Sequence, residues 1–253
     1  MTETKKVILS FHNDAKLKKE YVKRVVAHRK ADRIIKGQYW SEGKGCAVGC
    51  TIENARGEDP HKKMETVLGI PEPLAFLEDG LFEQLPNKDA MLFPEKFLRA
   101  IPVGADLTRV HHKFVQWLLT DKKHGVIKYV KDIYPDVKTV IRQISDMHAR
   151  AFSGENIESA AWSAAESAAR SAARSAAWSA AESAAESAAR SAAWSATESA
   201  AWSAARYAAW STVRSAAWSA AWSAAWSTAI KRQANYLLKL LKETKPVKQT
   251  RRK

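Results

Sequence analysis

The sequence predicts a mainly α protein: a compact N-terminal helical domain followed by a long Ala-rich helical repeat arm, broken into antiparallel helices. Three observations predict it. From Glu158 to Ile230 the chain repeats a Ser-Ala-Ala-X tetrad in which X is nearly always Trp, Glu or Arg. Ala is the strongest helix former, and neither Gly nor Pro interrupts the stretch between Asn156 and Lys245. Before residue 155 the composition is that of an ordinary globular protein, with apolar residues at helical spacing between Gly and Pro breaks. The shift in composition sets the expected organisation: a globular helical domain over 1–155 with a Gly/Cys loop at 43–51, a tetrad-repeat region over 156–243, and a basic disordered tail over 244–253.

Within the first domain, Val7 to Phe11 is strand-like. Asn13 or Asp14 then caps a helix whose Leu17, Tyr21, Val25 and Val26 share a face, continuing to about Ile35 before Gly37 ends it. From Gln38 to Arg56 the chain is rich in Gly and reads as loop. Pro71 opens a helix carrying Leu74, Leu77, Glu78, Leu81 and Phe82 to Gln84. Further helices fit Pro94–Ala100, Asp106–Leu119, Gly125–Ile133 and Pro135–Arg150, separated by Pro86, Pro102, Gly104 and Gly125.

In the repeat, a residue every fourth position drifts by roughly 40° per tetrad around an α-helix. The X side chains therefore wind around the axis instead of forming one seam, and the indoles must find cover by folding back or from another molecule. Trp162, Trp178 and Trp194 are sixteen apart, Trp202, Trp210 and Trp218 eight apart, and Trp222 and Trp226 four apart, so aromatic density rises toward the C-terminus. Arg206 and Arg214 lie one turn from Trp on both sides. The Trp residues from Trp202 to Trp226, with Arg206 and Arg214, are the expected binding residues of the arm.

Net charge is +14. Within the repeat, Glu158, Glu166, Glu182, Glu186 and Glu198 balance Arg170, Arg174, Arg190, Arg206 and Arg214, so the excess lies elsewhere and is densest in the C-terminal tail, as in segments drawn to phosphates or anionic lipid. No secretory signal opens the chain, which gives the expectation of a cytoplasmic location. The longest uncharged stretch, Ser215 to Ile230, falls short of the roughly 20 apolar residues of a spanning helix. No transmembrane segment is expected.

Candidate chemistry centres on Gly43-Lys44-Gly45-Cys46-Ala47-Val48-Gly49-Cys50, with His61, Glu65 and Glu78 downstream. Cys46, Cys50 and His61 would offer three ligands to a zinc ion, since a Cys-x3-Cys pair lies within the usual ligand spacing. The second half of a zinc finger is missing. A nucleophilic Cys46 or Cys50 with His61 as base and Glu65 or Glu78 as orienter is the enzyme version. The bland alternative is two small buried thiols in a Gly-supported turn. A Walker loop is excluded, because Lys44 is followed by Gly45 instead of Ser or Thr.

Phe11-His12-Asn13-Asp14, Gly43 through Thr51, Leu68-Gly69-Ile70-Pro71, Leu77 through Glu83 and Gly104-Ala105-Asp106-Leu107 resemble a family of phage and bacterial proteins over roughly residues 7–130. Its members carry an Ala-rich helical tail similar to the repeat of immunity proteins in polymorphic-toxin systems. The resemblance implies no reaction and no catalytic residues, but it is densest at the cysteine loop. One departure is Ile52-Glu53, where the family carries a His after the loop.

The expected function is therefore that of a non-enzymatic, immunity-like interaction protein without a cofactor, using the Trp-rich arm to bind a protein partner or to self-associate. The alternatives are a zinc-binding or cysteine-dependent enzyme built on the Cys46/Cys50/His61 loop, and single-stranded nucleic-acid binding through the Trp/Arg ladder and the tail. The tail also admits an anionic membrane surface as partner.

Overall fold

The computed structural model describes residues 7–55, 57–130, 135–165, 167–168 and 226–247, and they are mainly helical. The chain divides into two compact units: Met1–Phe114 with Ser227–Lys253, and Val115–Trp226. The expected boundary at residues 155 and 156 does not coincide with that division.

In the first unit, Asp14 caps α1 (Ala15–Lys30) by accepting from Lys16 N–H. The helix stops five residues short of the expected Ile35. Asp32 adopts a left-handed conformation (φ 50°), and the chain turns so that Ile35 N–H reaches Gly45 O and Gly45 N–H reaches Arg33 O. The glycine-rich stretch read as loop is more ordered than expected. Trp40–Ser41 (β1) and Lys44–Gly45 (β2) form a small antiparallel hairpin, and α2 (Ala47–Ile52) follows it directly. The two-residue turn, Glu42 and Gly43, has positive φ at both positions, the geometry that matches strand twist in tight hairpins.

Next comes α3 (Pro60–Leu68), capped by the Asp59 carboxylate, opened by Pro60 at its first position and closed by Gly69 in the left-handed conformation. Then follow α4 (Glu72–Gln84), α5 (Asn87–Ala90) and α6 (Phe93–Ala100). Phe11, Phe82, Phe93, Phe97, Met64 and Leu74 are among the fully buried side chains. The N-terminal segment is not the expected strand. Leu9 makes a single bridge to Asp106, and Phe11, His12 and Asn13 all take left-handed φ values in a tight turn.

Residues 226–243 are helical, and from Ser227 onward this helix belongs to the same unit. Ile230, Ala234, Leu237, Leu238, Leu240 and Leu241 are buried along it, and Tyr236 lies 6.4 Å from the Phe114 ring. The tail expected to be disordered from residue 244 begins instead by pairing: Pro246 bridges Ala105 and Val247 N–H donates to Gly104 O. The second unit holds α7 (Pro135–Ser153), whose Ser145 hydroxyl lies 3.0 Å from that of Thr120. Of the stretch 125–133, expected as a helix, the described residues 125–130 hold a short 3-10 turn at Val126–Tyr129, and residues 131–133 lie outside the described residues. Trp162 rests 4.8 Å from His148. Among the described residues no helix is long and apolar enough to cross a membrane. Trp202, Arg206, Trp210, Arg214, Trp218 and Trp222 lie outside the described residues, and with them the question of one rod or several helices.

Candidate metal centre

The loop is shaped by one carbonyl. A β-carbon on either Gly45 or Gly49 would overlap the Tyr39 carbonyl oxygen, so both positions exclude any side chain. That close approach lets Cys46 N–H bond the Gln38 and Tyr39 carbonyls at 2.8 and 3.1 Å. Cys46 thereby caps α2, its Sγ accepting from Gly49 N–H at 3.5 Å. Every residue of α2 is buried, which fixes the orientation of the cap.

Against this cap stands α4. Asp79 and Glu83 are four residues apart and share one helix face, a like-charge arrangement that costs a few tenths of a kcal/mol on an isolated helix. Both Glu83 carboxylate oxygens accept from Gly37 N–H, at 3.1 and 3.0 Å. One ligand atom each from Cys46, Asp79 and Glu83 lies within 4.8 Å of the other two. Asp79 Oδ1 is buried and has no hydrogen-bond partner. Next to it in sequence, Glu78 is wholly buried with both carboxylate oxygens unpartnered.

Helix α3 brings His61 to the edge of this group. Asp59 accepts from His61 N–H in capping the helix, and the ring spans two carboxylates, with Nδ1 3.3 Å from Asp59 Oδ1 and Nε2 3.3 Å from Asp79 Oδ2. Phe76, half exposed on α4, stacks on the ring at 4.0 Å between centroids. A histidine hydrogen-bonded to a ligating carboxylate is the usual outer support of a metal site.

The electrostatics are those of a thiol among acids. Burial pushes the Cys46 thiol far above its ordinary range, and the negative charge of Asp79 pushes it further, against the opposing Gly49 N–H. Burial likewise raises Cys50 to about 12 and Tyr39 to about 12. Burial, with the charge of Asp79 second, raises the Glu78 carboxyl well above 4.5. A nucleophilic cysteine needs a neighbouring cation or base to form the thiolate. At Cys46 the neighbouring charge is that of Asp79, and at Cys50 the charge of Glu53 opposes that of Arg33, so burial keeps both thiols protonated and neither is set up as a thiolate nucleophile. A divalent cation between Cys46, Asp79 and Glu83 would offset the effect of the Asp79 charge on the Cys46 thiol.

The expected site residues separate. Of Cys46, Cys50 and His61, Cys46 alone enters the convergent group, and that group is the one found among the described residues. Cys50 Sγ faces the Gly45 and Arg33 carbonyls at 3.3 and 3.6 Å and is part of the core. Glu65 accepts from Glu72 N–H at 3.0 Å and so caps α4. Lys44 is exposed in the hairpin, and Trp226 is 49% exposed at the start of the described C-terminal segment. Glu53, at the departure from the family pattern, accepts from His28 Nε2 at 3.0 Å, away from the cluster. Asp79 and Glu83 were missed by the spacing argument, although two acids on one helix face beside an open Gly80 were a readable signal.

No family model, curated protein or solved structure matches the chain.

Proposed function

We propose that the N-terminal unit is a metal-binding module that takes a divalent transition cation of the zinc class through Cys46, Asp79 and Glu83. The reading rests on a sulfur and two carboxylate oxygens within 4.8 Å of one another. The unpartnered Asp79 Oδ1 supports it, because a buried oxygen without a donor costs about 1–3 kcal/mol that a cation would recover. A borderline-soft ion accepts both thiolate and carboxylate, and three protein ligands leave a fourth position open to water or a small molecule. His61 orients Asp79, and Glu83 anchors the Gly37 turn, so a bound ion would tie the cysteine cap to α4.

Elemental analysis of the purified full chain tests the proposal. Zinc near stoichiometry, lost in Cys46→Ser and Asp79→Asn but kept in Cys50→Ser, is the expected result. Serine is itself a good helix cap and asparagine is isosteric, so both variants should fold. Wild-type protein that takes up no zinc or cobalt after reconstitution would defeat the reading.

A second reading, a partner-binding and immunity-like role for the Trp arm, draws support from Trp226, whose indole is 49% exposed. Trp226→Ala should lower partner recovery or oligomer mass in light scattering if that role is real.

A further inference from the structure

The outer side of α1 carries a second feature, independent of the metal cluster. Ala15, Lys18, Lys19, Val22, Lys23 and Val26 line a groove of about 630 Å³ closed on its far side by Arg99 and Val103. On α1 those positions follow i, i+3, i+4, i+7, i+8 and i+11, a single helix face running roughly 16 Å along the axis. Tyr21, Val22, Val25 and His28 of α1 are buried in the core, so Val22 meets the groove only as part of its floor. The groove floor is small and β-branched, which permits the axis separation of about 8–10 Å found between packed helices.

Every charged side chain lining the groove is a cation and none is an acid. Lys18 is held there by donating to the Arg99 and Ile101 carbonyls at 3.0 and 2.5 Å. Burial, with the nearby Arg99 charge second, lowers the Lys18 pKa. Glu95 meets Arg99 at 2.8 Å but is shared with Arg29 at 3.0 Å, so the positive rim is incompletely balanced. An apolar floor between cationic rims is complementary to one kind of surface: a helix with an apolar stripe flanked by carboxylates.

We infer that the groove between α1 and the Arg99–Val103 segment docks an acidic amphipathic helix of a partner protein. About three helical turns of the partner would lie along α1, its apolar stripe over Ala15, Val26 and Val103 and its carboxylates toward Lys19, Lys23 and Arg99. The class of partner follows from charge and spacing, and it requires neither the metal nor the arm.

A charge-swap experiment on the full chain tests this. The probe is a fluorescein-labelled peptide of three heptads with Leu at helical spacing and Glu on the flanking positions, read by anisotropy. Controls are a scrambled peptide of equal composition and a version with Lys in place of Glu. The expected result is binding of the acidic helix alone, weakened about tenfold or more by Lys19→Glu with Lys23→Glu, and transfer of that variant's preference to the Lys peptide. Both lysines are exposed, so an unchanged melting temperature will verify the fold. Equal binding of the scrambled peptide would reduce the groove to a plain positive patch and overturn the inference. Failure of the acidic helix to bind, with capture of phosphatidylglycerol vesicles or a thymidine oligonucleotide through the same lysines, would also overturn it.

Discussion

Lys231 Nζ lies 2.8 Å from Asp89 Oδ2, joining the helix at residues 226–243 to the α5 segment of the N-terminal unit. Both side chains are partly exposed, and such pairs contribute about 0–1 kcal/mol. Further along the same helix, Leu237 and Leu241 are fully buried. Leu241→Ala should therefore destabilise by about 2–5 kcal/mol in urea melts, and Lys231→Ala by less than about 1. Equal effects would mean that the C-terminal helix is not part of this core.

The glycine pair under Tyr39 gives a second contrast. Gly45→Ala and Gly49→Ala each force a β-carbon onto a backbone carbonyl and should cost at least about 1–3 kcal/mol, with any bound metal lost as the Cys46 cap shifts. Gly80 lies inside α4 with open space around it, so Gly80→Ala should stabilise by roughly 0.5–1 kcal/mol. Thermal denaturation of the three variants checks the order.

Glu78 predicts a pH dependence. Its carboxyl keeps a proton in the folded chain, where burial raises its pKa, and loses that proton near 4.5 when unfolded. The unfolded state thus binds fewer protons above that value, and the contribution of Glu78 to stability falls as pH rises from 4.5 toward its raised folded value. Glu78→Gln removes the penalty, so the variant should gain on the wild type as pH rises. A stability difference that stays constant between about pH 4 and 8 would contradict the assignment.

Cys46 predicts a proton count. With its thiol held protonated by burial and by Asp79, uptake of a cation must expel that proton. Apparent affinity for zinc should therefore rise with pH. Titration calorimetry in buffers of different ionisation enthalpy should show proton release on zinc uptake by the wild type and the same release by Cys50→Ser. In metal-free protein both thiols should react slowly with a disulfide reagent until the chain unfolds.

Local rules account for much of what was readable in advance. The helix from Pro71 to Gln84 and the one opening at Pro135 follow from their Pro starts and apolar spacing. Helix α3 was missed in the sequence, although Asp59, Pro60 and Gly69 supply its cap, first-turn proline and left-handed stop. The hairpin was not legible, since neither strand has more than two residues and its register depends on the Tyr39 carbonyl.

The sequence by itself determined the helical class and the apolar character of Leu237, Leu238, Leu240 and Leu241, because propensity and hydrophobicity act over a few neighbouring residues. Tertiary structure alone decided that Asp79 and Glu83, and not Cys50, face Cys46, and that residues 227–243 return to the N-terminal core. Those outcomes depend on which helix faces share a buried volume, a property of the whole packed unit that no local spacing encodes.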